Sequence, residues 1–165
     1  MKNSTKFLTL VAVAIFVSSI TSCNEKAKES KETVVESTFN LSTAKAEIEA
    51  VCKQFMTFVA AADSIGLGNL YTQDAKFMMT GAPAISGIEN IQSTFAGIIN
   101  SGISNADLRT IEVWGTEDLI TEEGEYSLFV GDKEVDQGKF LVAWKNEEGK
   151  LKLHRDIFNS NLTAE

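Results

Sequence analysis

The segment from Gly138 to Ser160 restricts the fold of this chain more than any other, because its pattern is that of a β-hairpin. In its first half, Phe140, Val142 and Trp144 alternate with residues of the opposite face. A turn follows at residues 146–149, and the glycine at its end can adopt a positive φ angle. The chain therefore contains antiparallel sheet, and one face of this hairpin is directed towards an apolar interior.

The returning strand of the hairpin carries the only histidine of the chain close to an aspartate. Alternation places Lys152, His154, Asp156 and Phe158 on one face, with the Cα atoms of His154 and Asp156 roughly 6.6–7 Å apart. Apolar surroundings raise the pKa of a carboxyl group, which suits general acid or base catalysis, and a neighbouring histidine can move protons or bind a ligand oxygen. We therefore predict Asp156 and His154 as catalytic residues. The alternative is that the two side chains hydrogen-bond each other, Arg155 or water and only satisfy the polar end of a cavity.

The first 22 residues have the features of a secretory signal peptide. Two lysines precede an apolar run over residues 7–17 that is too short to span a membrane, and small residues follow it. The sequence Ile20-Thr21-Ser22-Cys23 resembles the bacterial lipobox, in which cleavage exposes a cysteine that is then acylated; an ordinary signal peptide is the alternative. We expect a lipid anchor at Cys23 and a flexible polar tether over residues 23–41, which place the protein in the bacterial cell envelope. By resemblance to sorting signals, Asn24 favours the outer membrane.

Residues 42–165 are enough for one domain with a core of its own and too few for two. The formal net charge of the chain is −8 and no basic stripe is present, which argues against nucleic acid as a partner. The sequence contains no phosphate-binding glycine loop and no metal-ligand spacing, so we predict no metal and no cofactor. Cys52 lies on an apolar helical face and is predicted to be a core residue.

Helices come first in this domain and strands follow. Apolar residues recur at three- and four-residue steps from Thr43 to Ala62 and again after Gly87, which predicts two amphipathic helices. A short helix capped by Asp63 and extending to Tyr71 lies between them. Strands are predicted before the hairpin's last strand at residues 75–80, 108–115, 119–130 and 137–145. These elements predict an α+β domain in which a strongly curved antiparallel sheet wraps on about three helices.

Four motifs between Thr43 and Leu162 occur in a recognisable order. They are Asp63 to Ala75 (DSIGLGNLYTQDA), Gly81 to Ile91 (GAPAISGIENI), Gly138 to Trp144 (GKFLVAW) and Trp144 to Ser160. Together they resemble the SnoaL-like branch of the nuclear transport factor 2-like superfamily. The resemblance implies a cone that encloses a pocket, often with a homodimer formed through the outer face of the sheet. Because the superfamily includes isomerases, cyclases, dehydratases, hydrolases and non-catalytic binding domains, the fold alone does not settle the activity.

The resemblance also indicates the pocket residues. The tyrosine and two aspartates of the related ketosteroid isomerases correspond to positions on or near Phe55, Phe140 and Met79, which are apolar, so that chemistry is not expected here. The predicted ligand-binding residues are Phe55, Met79, Tyr126, Phe140, Val142, Trp144 and Phe158. Core packing is an alternative role for Tyr126 and Trp144. The acidic run Glu122, Glu123 and Glu125 is interpreted as the solvated edge of a strand or turn.

Three functions are consistent with these features. The leading hypothesis is a membrane-tethered domain that binds a small, partly apolar molecule in the pocket. The second is an acid/base enzyme of isomerase, cyclase or hydrolase type that uses Asp156 and His154. The third is a protein-assembly module that binds another protein through its exposed sheet face.

Overall fold

The computed structural model describes residues 39–162. The predicted signal peptide, the lipidation site Cys23 and the tether up to residue 38 lie outside the described residues, so the division of the chain before residue 42 stays a prediction. The described part contains three helices and six strands. They are α1 (Leu41–Ala60), α2 (Ser64–Asn69), β1 (Tyr71–Met79), β2 (Ile85–Ser86), α3 (Ile88–Asn100), β3 (Asn105–Thr116), β4 (Leu119–Val130), β5 (Lys133–Glu147) and β6 (Lys150–Ser160).

The first two helices begin at side chains that cap them. Asn40 precedes α1, and its Oδ1 accepts a hydrogen bond from the backbone N–H of Thr43 at 3.0 Å. Asp63 caps α2 as predicted, since its Oδ1 accepts from the backbone N–H of Gly66 at 2.8 Å. The buried residues of α1 recur at helical spacing and are Ala44, Ile48, Cys52 and Val59. Local capping therefore fixes where α1 and α2 begin, and the apolar face of α1 packs into the core.

All six strands form one sheet in the order β2-β1-β6-β5-β4-β3. β1 runs parallel to β6, and every other pair of neighbouring strands is antiparallel. The sheet is curved and does not close on itself. The helices and the sheet share one apolar core, in which residues from all three helices pack against residues from β1 and β3–β6. The predicted α+β class with a curved sheet wrapped on three helices is confirmed.

The hairpin of β5 and β6 has the predicted turn. Glu148 and Gly149 both have positive φ angles, 57° and 78°, as in two-residue turns that match the twist of antiparallel strands. The backbone N–H of Gly149 donates to Oδ1 of Asn146 at 2.9 Å. On the outer face of the hairpin, the paired residues Leu141 and Ile157 are exposed. A homodimer through this face stays a prediction.

A β-bulge interrupts the alternation of β6 at His154. Positions 143 and 144 of β5 pair with positions 155 and 153 of β6, so His154 is an extra residue on its strand. Because an extra residue reverses the alternation beyond it, Leu153 and Asp156 both line the central cavity, whereas His154 is buried but does not line it. The predicted common face of His154 and Asp156 is therefore wrong.

The strand β1 also differs from the prediction, because it begins at Tyr71 and not near residue 75. The short helix before it ends at Asn69, and Tyr71 is a fully buried strand residue. The pairing of β1 with β6 is irregular between Tyr71 and Lys76, opposite the bulge in β6. No helix within residues 39–162 is long and apolar enough to cross a membrane.

Candidate functional site

A cavity of about 100 Å³ lies between the helices and the concave face of the sheet. Its surface is almost entirely apolar. The helices and the loop after α3 contribute Val51, Cys52, Phe55, Val59, Leu67, Phe95, Ile98, Ile99 and Ile103. The strands contribute Phe77, Leu108, Glu122, Tyr126, Leu128, Phe140, Val142, Trp144, Leu153, Asp156 and Phe158. An apolar space of this kind, with few polar groups, is typical of a small-molecule site.

Two carboxyl groups line this cavity, and the register of the sheet relates them directly. Glu122 of β4 pairs with Val142 of β5, and Val142 pairs with Asp156 of β6. The three side chains therefore form a row across three neighbouring strands. Two strand spacings separate the Cα atoms of Glu122 and Asp156 by roughly 9 to 10 Å. The two carboxyl groups are thus close enough to influence each other across a single valine.

Asp156 is only 7% exposed, and among the described residues its side chain has one hydrogen-bond partner. The hydroxyl group of Tyr71 donates to its Oδ2 at 2.5 Å. Burial raises the pKa of Asp156 to about 7; the hydrogen bond from Tyr71 lowers this pKa, and the charge of Glu122 raises it. Asp156 is therefore able to gain or lose a proton near neutral pH.

The second oxygen of Asp156 is open to the cavity. Within residues 39–162, Oδ1 receives no hydrogen bond from the protein. Every fully enclosed side-chain nitrogen or oxygen in the same residues has a hydrogen-bond partner. Because Oδ1 has none, it is not fully enclosed, and we infer that it is accessible from the cavity that Asp156 lines. This atom can accept or, when protonated, donate a hydrogen bond to a bound molecule.

Glu122 is fully buried, with 0% of its surface exposed, and its carboxyl group is saturated by donors. Thr110 donates its hydroxyl group to Oε1 at 2.6 Å, and Nε1 of Trp144 donates to Oε2 at 3.1 Å. The thiol group of Cys52 lies 3.5 Å from Oε1. Burial raises the pKa of Glu122, whereas these three hydrogen bonds lower it. The arrangement fits an ionised carboxylate, which only accepts hydrogen bonds.

The interpretation of Glu122 as a solvated edge is wrong, while Glu123 and Glu125 are exposed as expected. The signal that could have found Glu122 is the alternation of β4, which places it between the buried residues Ile120 and Tyr126. Tyr71 was missed as well, because it stands at a boundary between helix and strand.

Cys52 is buried as predicted, and burial together with Glu122 raises the pKa of its thiol group.

His154 belongs to a separate polar cluster outside the cavity. Its Nδ1 is 2.9 Å from Oγ1 of Thr72 and 3.3 Å from Oδ1 of Asp74. Burial lowers the pKa of His154, and the positive charge of Arg155 lowers it further. The structure therefore separates His154 from Asp156, and a single cavity-bound molecule does not touch both side chains.

Six of the seven predicted ligand-binding residues line the cavity, namely Phe55, Tyr126, Phe140, Val142, Trp144 and Phe158. Met79 does not; it lies at the end of β1, half-buried against the core. The hydroxyl group of Tyr126 donates to Oδ2 of Asp136 at 3.0 Å. Within the described residues, no group of three His, Cys, Asp or Glu side chains is placed to hold a metal ion.

The sequence model of the nuclear transport factor 2 (NTF2) domain matches residues 47–160. The chain therefore belongs to the NTF2 domain family, and the predicted membership of the NTF2-like superfamily is confirmed. No curated protein matches the chain significantly. Domains with this fold commonly bind ligands or act as isomerase-like enzymes.

Solved structures with a similar fold come from several bacteria. An NTF2-like protein with a cystatin-like fold from Novosphingobium aromaticivorans has a TM-score of 0.65 and 12% identity, over 75% of this chain and 86% of that chain. A ketosteroid isomerase-like protein from Erwinia carotovora atroseptica has a TM-score of 0.60 and 17% identity, over 72% and 96%. A protein of unknown function from Mycobacterium tuberculosis has a TM-score of 0.65 and 13% identity, over 74% of each chain. At these identities the likeness shows the fold alone.

Proposed function

We propose that this domain binds a small, largely apolar molecule in its cavity, with one polar group of that molecule at Asp156. The observation that carries the proposal is the contrast between the apolar lining and the open Oδ1 atom of Asp156. Burial of the apolar part of a ligand supplies affinity, and the hydrogen bond to Asp156 fixes its orientation. The aromatic side chains around the cavity add contact area at a low cost in conformational entropy.

The size of the cavity restricts the ligand. An apolar cavity of roughly 150 Å³ in another protein holds benzene, and this cavity is about 100 Å³. A molecule with a five-membered ring or a short alkyl chain and one polar group therefore fits without large movements of the protein. A bigger ligand requires displacement of side chains such as Phe140 or Phe158.

Native mass spectrometry of the protein purified from its own host tests this proposal, together with calorimetric titration of cyclopentanol and cyclopentylamine as probes. We expect a retained small molecule or binding of at least one probe. Val142→Phe fills the space between the two carboxyl groups and should abolish binding. Leu141→Phe adds the same ring one residue away on the exposed face and is the matched control.

Circular dichroism of both variants shows whether the fold is retained, and Asp156→Asn provides a second variant if Val142→Phe does not fold. Absence of a retained molecule together with absence of binding of both probes would overturn the proposal. Equal binding by Val142→Phe and by the parent protein would also contradict it.

Acid/base catalysis is a second candidate, and the pKa of about 7 for Asp156 favours it. A carboxyl group at this pKa exchanges protons with a substrate near neutral pH, while Tyr71 holds it in place. If the molecule recovered from the host is a substrate, Asp156→Asn should lower its turnover by about two orders of magnitude. Binding without any product in the parent protein would exclude catalysis of that molecule.

A lipid anchor at Cys23 is the remaining part of the proposal, supported by the lipobox-like sequence Ile20-Thr21-Ser22-Cys23. The mature protein should begin at an acylated Cys23 and partition with membranes, and Cys23→Ser should abolish both properties. Intact-mass measurement and detergent partitioning test this. A mature protein with an unmodified amino terminus at another residue would refute the anchor and its cell-envelope location.

A further inference from the structure

We infer that the polar group of the ligand is a protonated amine, so that the cavity selects small apolar ammonium compounds over alcohols, carbonyl compounds and acids of the same size. This inference rests on the proposed function, because it specifies the group that meets Asp156. It follows from a count of the donors and acceptors around the cavity.

Every side-chain donor on the cavity surface already has an acceptor within the protein. Trp144 and Cys52 point their donors to Glu122, and Tyr126 donates to Asp136. What remains for a ligand is the open oxygen of Asp156. When Asp156 is ionised, this oxygen only accepts hydrogen bonds, so the ligand has to donate, and an ammonium group forms the strongest hydrogen bonds to a carboxylate.

The charge of the cavity favours a cation for a separate reason. Among the lining residues within 39–162, none is a lysine, arginine or histidine, whereas two are carboxylic acids. Glu122 forms no ion pair with any described residue, although its three donors fit an ionised carboxylate. A buried negative charge without a counter-charge is costly, and a bound cation reduces that cost. An anionic ligand would add another negative charge to a cavity that no positive side chain of residues 39–162 lines, so we expect anions not to bind.

The aromatic lining supports the same ligand class. Seven aromatic side chains face the cavity, namely Phe55, Phe77, Phe95, Tyr126, Phe140, Trp144 and Phe158. Their ring faces attract cations as well as apolar groups. A small amine with a hydrocarbon ring or chain therefore offers an apolar part to these side chains and a cation to Asp156.

The pH dependence of binding separates an amine from a neutral ligand. Among the described residues, three titratable groups face Asp156, namely Tyr71 of β1, Cys52 of α1 and Glu122 of β4. Burial raises the pKa of Tyr71 and of Cys52, so both side chains stay neutral near pH 7. An ammonium group binds to the ionised form of Asp156, so its affinity rises with pH. A ligand that accepts a hydrogen bond requires the protonated form, so its affinity falls with pH. With a pKa of about 7 for Asp156, the ionised fraction, and with it the association constant of the amine, grows about tenfold between pH 6 and pH 8.

Calorimetric titration of the full protein with cyclopentylamine, cyclopentanol and cyclopentanecarboxylate tests the inference, because the three probes share one ring. We expect the amine to bind at least tenfold more tightly than the alcohol at pH 8, with an affinity that rises from pH 6, and the acid not to bind. Asp156→Asn should remove this preference. Glu122→Gln should weaken amine binding, whereas Glu123→Gln, one residue away on the exposed face, should leave it unchanged.

The outcomes separate the inference from the proposed function. Tighter binding of the alcohol than of the amine, or an amine affinity that does not rise with pH, would overturn the inference while leaving the cavity as a ligand site. Binding of none of the three probes would contradict both. If Glu122→Gln does not fold, the comparison of Asp156→Asn with the parent protein and the pH series still test whether the cavity prefers the amine.

Discussion

The buried carboxyl group of Asp156 should make the stability of this protein fall as the pH rises towards 8. The pKa of Asp156 is raised from 3.8 to about 7 in the folded protein, mainly because burial disfavours its charged form. The folded state therefore binds this proton more tightly than the unfolded state. The stability that the proton provides is fully present below the unfolded pKa, and it is lost progressively as the pH rises through about 7.

The size of this loss follows from the difference between the two pKa values. One unit corresponds to about 1.4 kcal/mol, so the shift of Asp156 amounts to roughly 4 kcal/mol between about pH 4 and pH 8. Asp156→Asn removes the titration and keeps an oxygen that accepts the hydrogen bond from Tyr71. The free energy of unfolding of the variant, relative to the parent, should therefore increase by roughly 3 to 4 kcal/mol over this pH range.

Urea-induced unfolding of the parent and variant proteins at about one-unit steps of pH measures this difference. Glu123→Gln removes an exposed carboxyl group from β4 and is the control, which should follow the pH dependence of the parent. Glu122 has a pKa that is raised in the same direction, so a smaller slope should persist in Asp156→Asn. Parallel curves for the parent and Asp156→Asn between about pH 4 and pH 8 would refute the assignment of a raised pKa to Asp156.

Three further predictions concern the packing around the cavity. Phe140→Ala should cost roughly 3–5 kcal/mol in urea unfolding, because it removes a buried ring from the core; an unchanged stability would contradict the position of this ring. Gly138→Ala should lower the stability by more than about 1 kcal/mol, since a Cβ atom there overlaps the backbone oxygen of Asn159. A stable Gly138→Ala variant would show that the strand can shift. Cys52 should react with iodoacetamide at least about a hundredfold more slowly in the native protein than in urea, because burial and Glu122 raise the pKa of its thiol group; equal rates would exclude this environment.

The sequence predicts those parts of the fold in which the periodicity is regular. Phe140, Val142 and Trp144 alternate without interruption, and all three are buried and line the cavity. Asp63 caps its helix because a carboxyl group three residues before a backbone N–H needs no tertiary contact to do so. In both cases the structure follows from neighbours along the chain.

The errors arise where distant parts of the chain decide the structure. The bulge at His154 depends on the pairing of β6 with two strands at once, β5 and the irregular β1, which a single strand does not reveal. Glu122 was assigned to the surface because a charged side chain is seldom buried. Its burial depends on Thr110, Cys52 and Trp144, which lie 12 to 70 residues away in the sequence.

The stability and the proposed ligand of this protein are coupled through the same atom. Ionisation of Asp156 costs roughly 4 kcal/mol in the empty protein, which is a large part of the 5–15 kcal/mol that usually separates folded from unfolded states. A bound ammonium group compensates that charge, whereas a bound alcohol does not. At a hundredfold excess over its dissociation constant, a ligand adds about 2.7 kcal/mol to the stability. An amine should therefore restore at pH 8 much of the stability that the empty protein loses, and its stabilising effect should become smaller at pH 6, where the proton on Asp156 already removes the charge.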